Sequence, residues 1–175
     1  MELCTVEDIM IFLDKYPHVP PDFTIMQAMN EISKAEFEID GQKSLPRVLL
    51  IFDKEYRLLG MVRRRDILRG LEPEYLKSEP KVERKKFFDL RGTPKPSELP
   101  AEKLFNDIVN QSKRQISEVM IPITDSVYHD DNIMKAIYKM IANNTHILPV
   151  LKNKKVIGIV RSVDVFNEIH KLLNK

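Results

Sequence analysis

The densest run of chemically active side chains in this sequence is basic. Arg63-Arg64-Arg65 stands between Arg57 and Arg69. Such a cluster can meet the phosphates of a small ligand or of a nucleic acid, since each guanidinium carries a fork of N–H donors. More often such a run is a solvated face. The lysines and arginines at Lys81, Arg84, Lys85 and Lys86 read the same way. Lys and Arg total 28 against 26 for Asp and Glu, and a net charge of +2 gives no reason to expect nucleic acid.

Other reactive residues are scattered. The four histidines, His18, His129, His146 and His170, lack metal-ligand spacing with a cysteine or with each other. His129-Asp130-Asp131 has the donors for a weak metal site, but Asp130 or Asp131 is better placed as the cap of a following helix. Cys4 is the one cysteine, so no internal disulfide framework is available and a reducing compartment is expected. No Ser/His/Asp set or Cys/His pair stands in a nucleophile context. The five glycines form neither a dinucleotide-binding fingerprint nor a phosphate-binding P-loop. The expectation is a protein that is not an enzyme and holds no metal or cofactor.

The elements that position these residues follow from the apolar pattern. Hydrophobic residues make up 43% of the 175, enough to bury a core, and the length allows one domain or two small modules. No run approaches the roughly 18 apolar residues of a membrane span, and the N-terminus has no apolar signal core. A cytoplasmic protein with no membrane contact is expected. Five of the eleven prolines fall between Pro73 and Pro100, alongside the charge run, which predicts a linker. Leu104, Phe105, Ile108 and Val109 then recur at helical spacing. The division expected is residues 1–72, a linker plus helix over 73–115, and residues 116–175.

The segments flanking the linker resemble each other. Thr5-Val6-Glu7-Asp8-Ile9-Met10 matches Gln115-Ile116-Ser117-Glu118-Val119-Met120. Ile25-Met26-Gln27-Ala28-Met29 matches Ile133-Met134-Lys135-Ala136-Ile137, and Leu59 to Asp66 matches Ile157 to Asp164. The shrinking offset implies about ten extra residues after the first helix of the first half, around Ser44 to Pro46. Each half predicts strand, helix, strand, strand, helix. In the second these are Ser126–Tyr128, a helix on Ile133 to Ile141, strands His146–Leu151 and Val156–Val160 around an Asn153-Lys154 turn, and a helix on Val165 to Leu173. In the first, the uninterrupted apolar run Val48–Phe52 predicts a strand covered on both faces. Gly60 and Gly158 occupy equivalent places, where a backbone or ligand must come close.

These motifs resemble a tandem pair of CBS domains, also called a Bateman module. The resemblance rests on Val6-Glu7-Asp8-Ile9-Met10, Leu148-Pro149-Val150, Gly60-Met61-Val62-Arg63-Arg64-Arg65-Asp66 and Gly158-Ile159-Val160-Arg161-Ser162-Val163-Asp164. It implies an α/β fold of two repeats packed as one pseudo-twofold module with two clefts. It further implies a regulatory ligand such as AMP, ADP, ATP or S-adenosylmethionine, a homodimer, and a regulated protein target. Asp66 and Asp164 fall at the family's ribose-binding position, and His146 and Pro149 border the cleft.

Arg63 and Arg161 stand where the family places a hydroxyl residue. Two readings follow. Each arginine can clamp a phosphate, giving a nucleotide sensor with Asp66, Asp164, Arg63, Arg161, His146 and Pro149 as site residues. Alternatively, Arg63–Asp66 and Arg161–Asp164 pair across the first helical turn and fill the clefts, which leaves a ligand-free dimerisation module. A nucleic-acid-binding accessory protein is the third alternative.

Overall fold

The computed structural model describes residues 4–39, 41–77 and 99–174. Most of the expected linker, including the charge run from Lys81 to Lys86, lies outside the described residues.

Among the described residues, two four-stranded sheets and five α-helices carry the fold. The first half contains β1 (Ile11–Phe12), β2 (His18–Val19), α1 (Ile25–Lys34), the hairpin β3 (Phe37–Ile39) and β4 (Gln42–Ser44), β5 (Val48–Phe52), β6 (Leu58–Arg63) and α2 (Arg64–Leu71). After α3 (Ala101–Ser112) come β7 (Ile121–Pro122), β8 (Val127–Tyr128), α4 (Ile133–Ala142), β9 (Ile147–Lys152), β10 (Lys155–Arg161) and α5 (Ser162–Leu173). The mixed α/β class expected from the pattern is observed, as are the longer strands and helices.

Local chemistry sets the element ends. Thr24 caps α1 in a capping box, its hydroxyl accepting from the Gln27 N–H while the Gln27 side chain accepts from the Thr24 N–H. Asn132, rather than Asp130 or Asp131, caps α4 by accepting from the Lys135 N–H at 3.1 Å. Asp131 is engaged elsewhere, by the Tyr128 N–H and the Lys135 ammonium. The β9–β10 turn places Asn153 and Lys154 at positive φ, the primed geometry that matches strand twist.

The sheets are not those of the two sequence halves. One runs β2-β5-β6-β7 and the other β1-β10-β9-β8, so each half lends its first short strand to the other. The flanking arms are exchanged as well. Val6 and Met10 lie in the core of α4, β9, β10 and α5, and Ile116 lies in that of α1, β5, β6 and α2. The Val6 N–H donates to the Asp131 carbonyl at 2.8 Å, and the Ile116 N–H to the Phe23 carbonyl at 2.7 Å. A third cluster, including Ile11, Tyr16, Val48, Leu50, Ile147 and Ile159, joins the inner faces of both sheets. That is why all five residues of β5 are buried.

The two glycines mark where exchange brings backbones together. β1 pairs with β10 at Phe12 opposite Gly158, and β7 pairs with β6 at Pro122 opposite Gly60. A methyl group on Gly158 would sit 2.4 Å from the Ile11 carbonyl oxygen, and one on Gly60 2.5 Å from that of Ile121. Both obstacles are backbone and cannot rotate away. Gly158→Ala is therefore expected to cost about 1–3 kcal/mol, in the range of core overpacking. Urea unfolding measures this, and an unchanged midpoint would show that β1 does not hold its place on β10.

Candidate functional site

Both arginine–aspartate motifs fold identically. In each, the arginine ends a strand and the aspartate lies in the first turn of the next helix, where a carboxylate also favours the helix dipole. Asp66 Oδ2 accepts from the Arg63 N–H at 3.0 Å and from Nε at 2.8 Å, and Oδ1 accepts from Nη2 at 3.0 Å. Asp164 Oδ2 accepts from the Arg161 N–H at 3.2 Å and Nε at 2.7 Å, and Oδ1 from Nη2 at 2.6 Å. These are bidentate forks, so the two side chains pair across the first helical turn at both places.

The forks hold the carboxylates tightly. The Asp66 side chain is 2% exposed. Burial alone would raise its carboxyl, but the guanidinium and backbone N–H of Arg63 outweigh burial and hold it below the ordinary value. In return Asp66 raises the Arg63 guanidinium further. The Asp164 side chain is 8% exposed.

What surrounds each arginine differs. Arg63 borders a cavity of about 240 Å³ between the two sheets. Met61 comes from β6, and Ile121, Pro122, Ile123, Thr124 and Asp125 come from β7 and the stretch after it. Asn143, Asn144 and Thr145 from the α4–β9 connection close the rim, above Ile147 and Leu148. Every wall thus depends on strand exchange, which brings β7 beside β6. The Arg63 side chain is 38% exposed, and its Nη1 has no partner among the described residues.

Asp125 is the carboxylate that faces this cavity. It accepts from the Lys139 ammonium at 2.7 Å and from the Asn143 amide at 2.9 Å. Burial would raise its carboxyl, but Lys139, the Ser126 N–H and Asn143 hold it below the usual range. Thr124, Asp125, Asn143 and Thr145 were not expected from sequence. They belong to connections whose meeting with β6 is non-local, and no periodic signal marks it.

The remaining expected residues lie apart from this cavity. Asp66 is behind the Arg63 fork, and Asp164 and Arg161 belong to the opposite cleft. His146 is exposed, and its carbonyl accepts from the Ser162 N–H at 2.9 Å. Pro149 is buried within β9 opposite Ile159. Neither lines the 240 Å³ cavity. The basic cluster does not form one free face: Arg57 pairs with Asp53 and Glu55, and Arg63 with Asp66. His129 meets Glu7 at 2.8 Å, and the described residues contain no group of three or more potential metal ligands.

A second, more open groove of about 550 Å³ lies beside α2, and Asp66 lines it together with Arg69, Glu72, Lys77, Arg114 and Glu118 among others. Its charges are internally compensated, as in the Arg114–Glu118 pair at 2.7 Å.

The family model of the CBS domain matches residues 6–73 and again 116–171. No curated protein matches. Among solved structures, CBSX2 in complex with AMP is similar at a TM-score of 0.61 and 17% identity, covering 97% of this chain and 98% of that one. A CBS domain-containing protein from Kribbella flavida gives 0.68 at 15% identity over 95% and 98%. The cytosolic domain of the Mg2+ channel MgtE in complex with ATP gives 0.55 at 16%, over 90% of this chain and 46% of that one. At these identities the likeness is one of fold.

The forks make different demands on stability. Removing one partner of a fully buried pair typically costs about 3–5 kcal/mol, because the other charge is left without water. The Arg161 side chain is 15% exposed and that of Arg63 is 38% exposed. Asp164→Asn should therefore cost about 3 kcal/mol and Asp66→Asn closer to 2, because Arg63 can rehydrate. Equilibrium unfolding of the two variants tests the order. Equal losses would mean that solvent reaches both arginines alike.

Proposed function

We propose that this chain, which belongs to the CBS domain family, is a non-catalytic regulatory module that binds an adenine nucleotide between its repeats. Binding would change its association with a protein partner. The observation that carries this reading is the cavity beside Arg63. It has one unpartnered guanidinium nitrogen at one edge and carboxylate, amide and hydroxyl groups at another. That is the donor and acceptor mixture that a phosphorylated nucleoside requires. A volume of about 240 Å³ falls just below the range of ligand pockets, roughly 300–1,000 Å³, which suits a mononucleotide better than a dinucleotide. Two proteins of the same fold are described in complex with AMP and with ATP, which supports the ligand class.

The roles follow from reach. Nη1 of Arg63 takes a phosphate oxygen while its other nitrogens stay on Asp66, so Asp66 acts as a positioning residue. Asp125, fixed by Lys139 and Asn143, accepts from sugar hydroxyls. Nothing in this set calls for a bond to be made or broken. The module works by population shift: the ligand stabilises whichever arrangement of the halves it binds better.

The resemblance also supports a homodimer, formed through helices of both repeats. The exposed apolar residues Met26 on α1 and Leu68 on α2 in the first repeat, and Ile141 on α4 and Phe166 on α5 in the second, suit such a contact. Light scattering of the purified chain is expected to give twice the chain mass, and Phe166→Glu to return it to the monomer. A monomeric wild-type chain would remove this part of the proposal.

For the ligand, a thermal-shift panel of AMP, ADP, ATP and S-adenosylmethionine should show stabilisation. The gain is about 2.7 kcal/mol at a hundredfold excess over Kd. Arg63→Gln should weaken AMP or ATP at least tenfold while leaving adenosine unaffected. No shift with any of the four, on protein freed of carried-over nucleotide, would favour the ligand-free interaction module instead.

A further inference from the structure

The two clefts, equivalent by sequence, are not equivalent in space. We infer that the chain holds a single ligand, in the Arg63 cleft, because Ser44 at the end of the β3–β4 hairpin and Tyr16 occupy the Arg161 cleft. The inference rests on the nucleotide reading above and concerns which cleft serves it.

The same guanidinium nitrogen makes the comparison direct. At Arg63, Nη1 faces the cavity without a partner among the described residues. At Arg161, Nη1 donates to Ser44 Oγ at 3.1 Å. Ser44 ends β4, in the segment of extra residues that follows the first helix and has no counterpart after α4. Four residues connect α4 to β9, whereas a two-stranded hairpin intervenes between α1 and β5. The extra segment thus brings a hydroxyl to the atom that the proposed site reserves for phosphate.

Tyr16 completes the plug. Between β7 and β8 the open cleft has Thr124 and Asp125, while between β1 and β2 the other has an aromatic ring. Tyr16 is 2% exposed and belongs to the cluster with Val48 and Ile159. Burial pushes its phenol up to about 12, with Arg161, the Val48 backbone and Asp164 as its electrostatic neighbours. Those neighbours place the hydroxyl in the Arg161 cleft. Both Asp164 oxygens are engaged there too, and the Arg161 side chain is only 15% exposed. The cleft is largely closed to solvent.

Isothermal titration with AMP and with ATP tests this. The wild-type chain is expected to bind one equivalent. Thr124→Trp, at an exposed position on the rim of the open cavity, should abolish binding with an unchanged Tm; Asn143→Trp at the same rim serves if the first variant is unstable. Ser44→Ala should leave stoichiometry at one and affinity within twofold. Two equivalents per chain, or binding that survives the tryptophans and is lost in Ser44→Ala, would overturn the single-cleft inference while sparing the nucleotide reading. Absence of binding to the wild-type chain would sink that reading and this inference with it.

Discussion

The close approach of β1 to Gly158 and of β7 to Gly60 is the contact on which the rest of the molecule depends. A strand of two residues has almost no pairing strength of its own, so it stays in a sheet only if the neighbouring backbone lets it in. With a side chain at either glycine, the carbonyl of Ile11 or Ile121 could not reach its place. The exchanged strands carry their arms with them, and the arms supply Val6, Met10 and Ile116 to cores that lack them. Neither half can complete its own interior. Two units of about sixty residues would each be marginal, since small domains bury too little of their surface. Exchange turns them into one folding unit with a shared middle layer.

The clefts are the two ends of that middle layer, and they inherit its logic. Each is walled by the strand of one half and the connections of the other, so a ligand in either touches both halves at once. The forked arginine–aspartate pair at each end is the fixed element. Its aspartate lies in the first turn of a helix, its arginine at the end of a strand, and the i, i+3 spacing lets one backbone N–H and two side-chain nitrogens meet one carboxylate. Fixed this way, an arginine loses little further freedom on meeting an anion. The forks are alike to within a few tenths of an ångström. What separates a cavity from a packed interior is the material that the opposite half delivers: Thr124 and a four-residue connection at one end, Tyr16 and a hairpin at the other.

This division explains what was legible in the sequence. The long strands and amphipathic helices were, because their periods and apolar runs are local. The Val48–Phe52 run announced its two-sided burial, and the paired glycines announced a close approach, though not to what. The two-residue strands β1 and β7 were not, being too short for any period to register. Without β7 on β6 there is no wall for the cavity, so Thr124 and Asp125 had no reason to stand out. The arginine–aspartate spacing was visible and ambiguous. The choice between a ligand clamp and an internal pair turns on side-chain geometry at one strand end, and the structure shows the pair at both. The extra residues around Ser44 were visible as a change of offset. That they form a hairpin with its end on Arg161 is a contact across 117 positions.

The open cleft also has a connection to the surface. Asp125 is held by Lys139 and Asn143, and both belong to the last turns of α4 and its exit. The exposed Tyr138 and Ile141 lie on the same two turns, facing outward. A ligand that donates to Asp125 would therefore act on the residue that anchors the end of α4, about one helical turn from an exposed apolar face. The anchor is polar and partly hydrated, so its rearrangement costs far less than moving the buried fork at Asp66. Coupling through it is limited by the ligand's preference for one arrangement, and a swing from 1:99 to 99:1 needs about 5.5 kcal/mol of differential binding. Two or three hydrogen bonds to charged groups, at about 1.5–3 kcal/mol each, reach that figure only if they form in one arrangement and not the other. On the proposed reading, a phosphate on Arg63 Nη1 and hydroxyls on Asp125 would meet the condition together, because Arg63 ends β6 while Asp125 is held by Lys139 and Asn143 of the other sequence half.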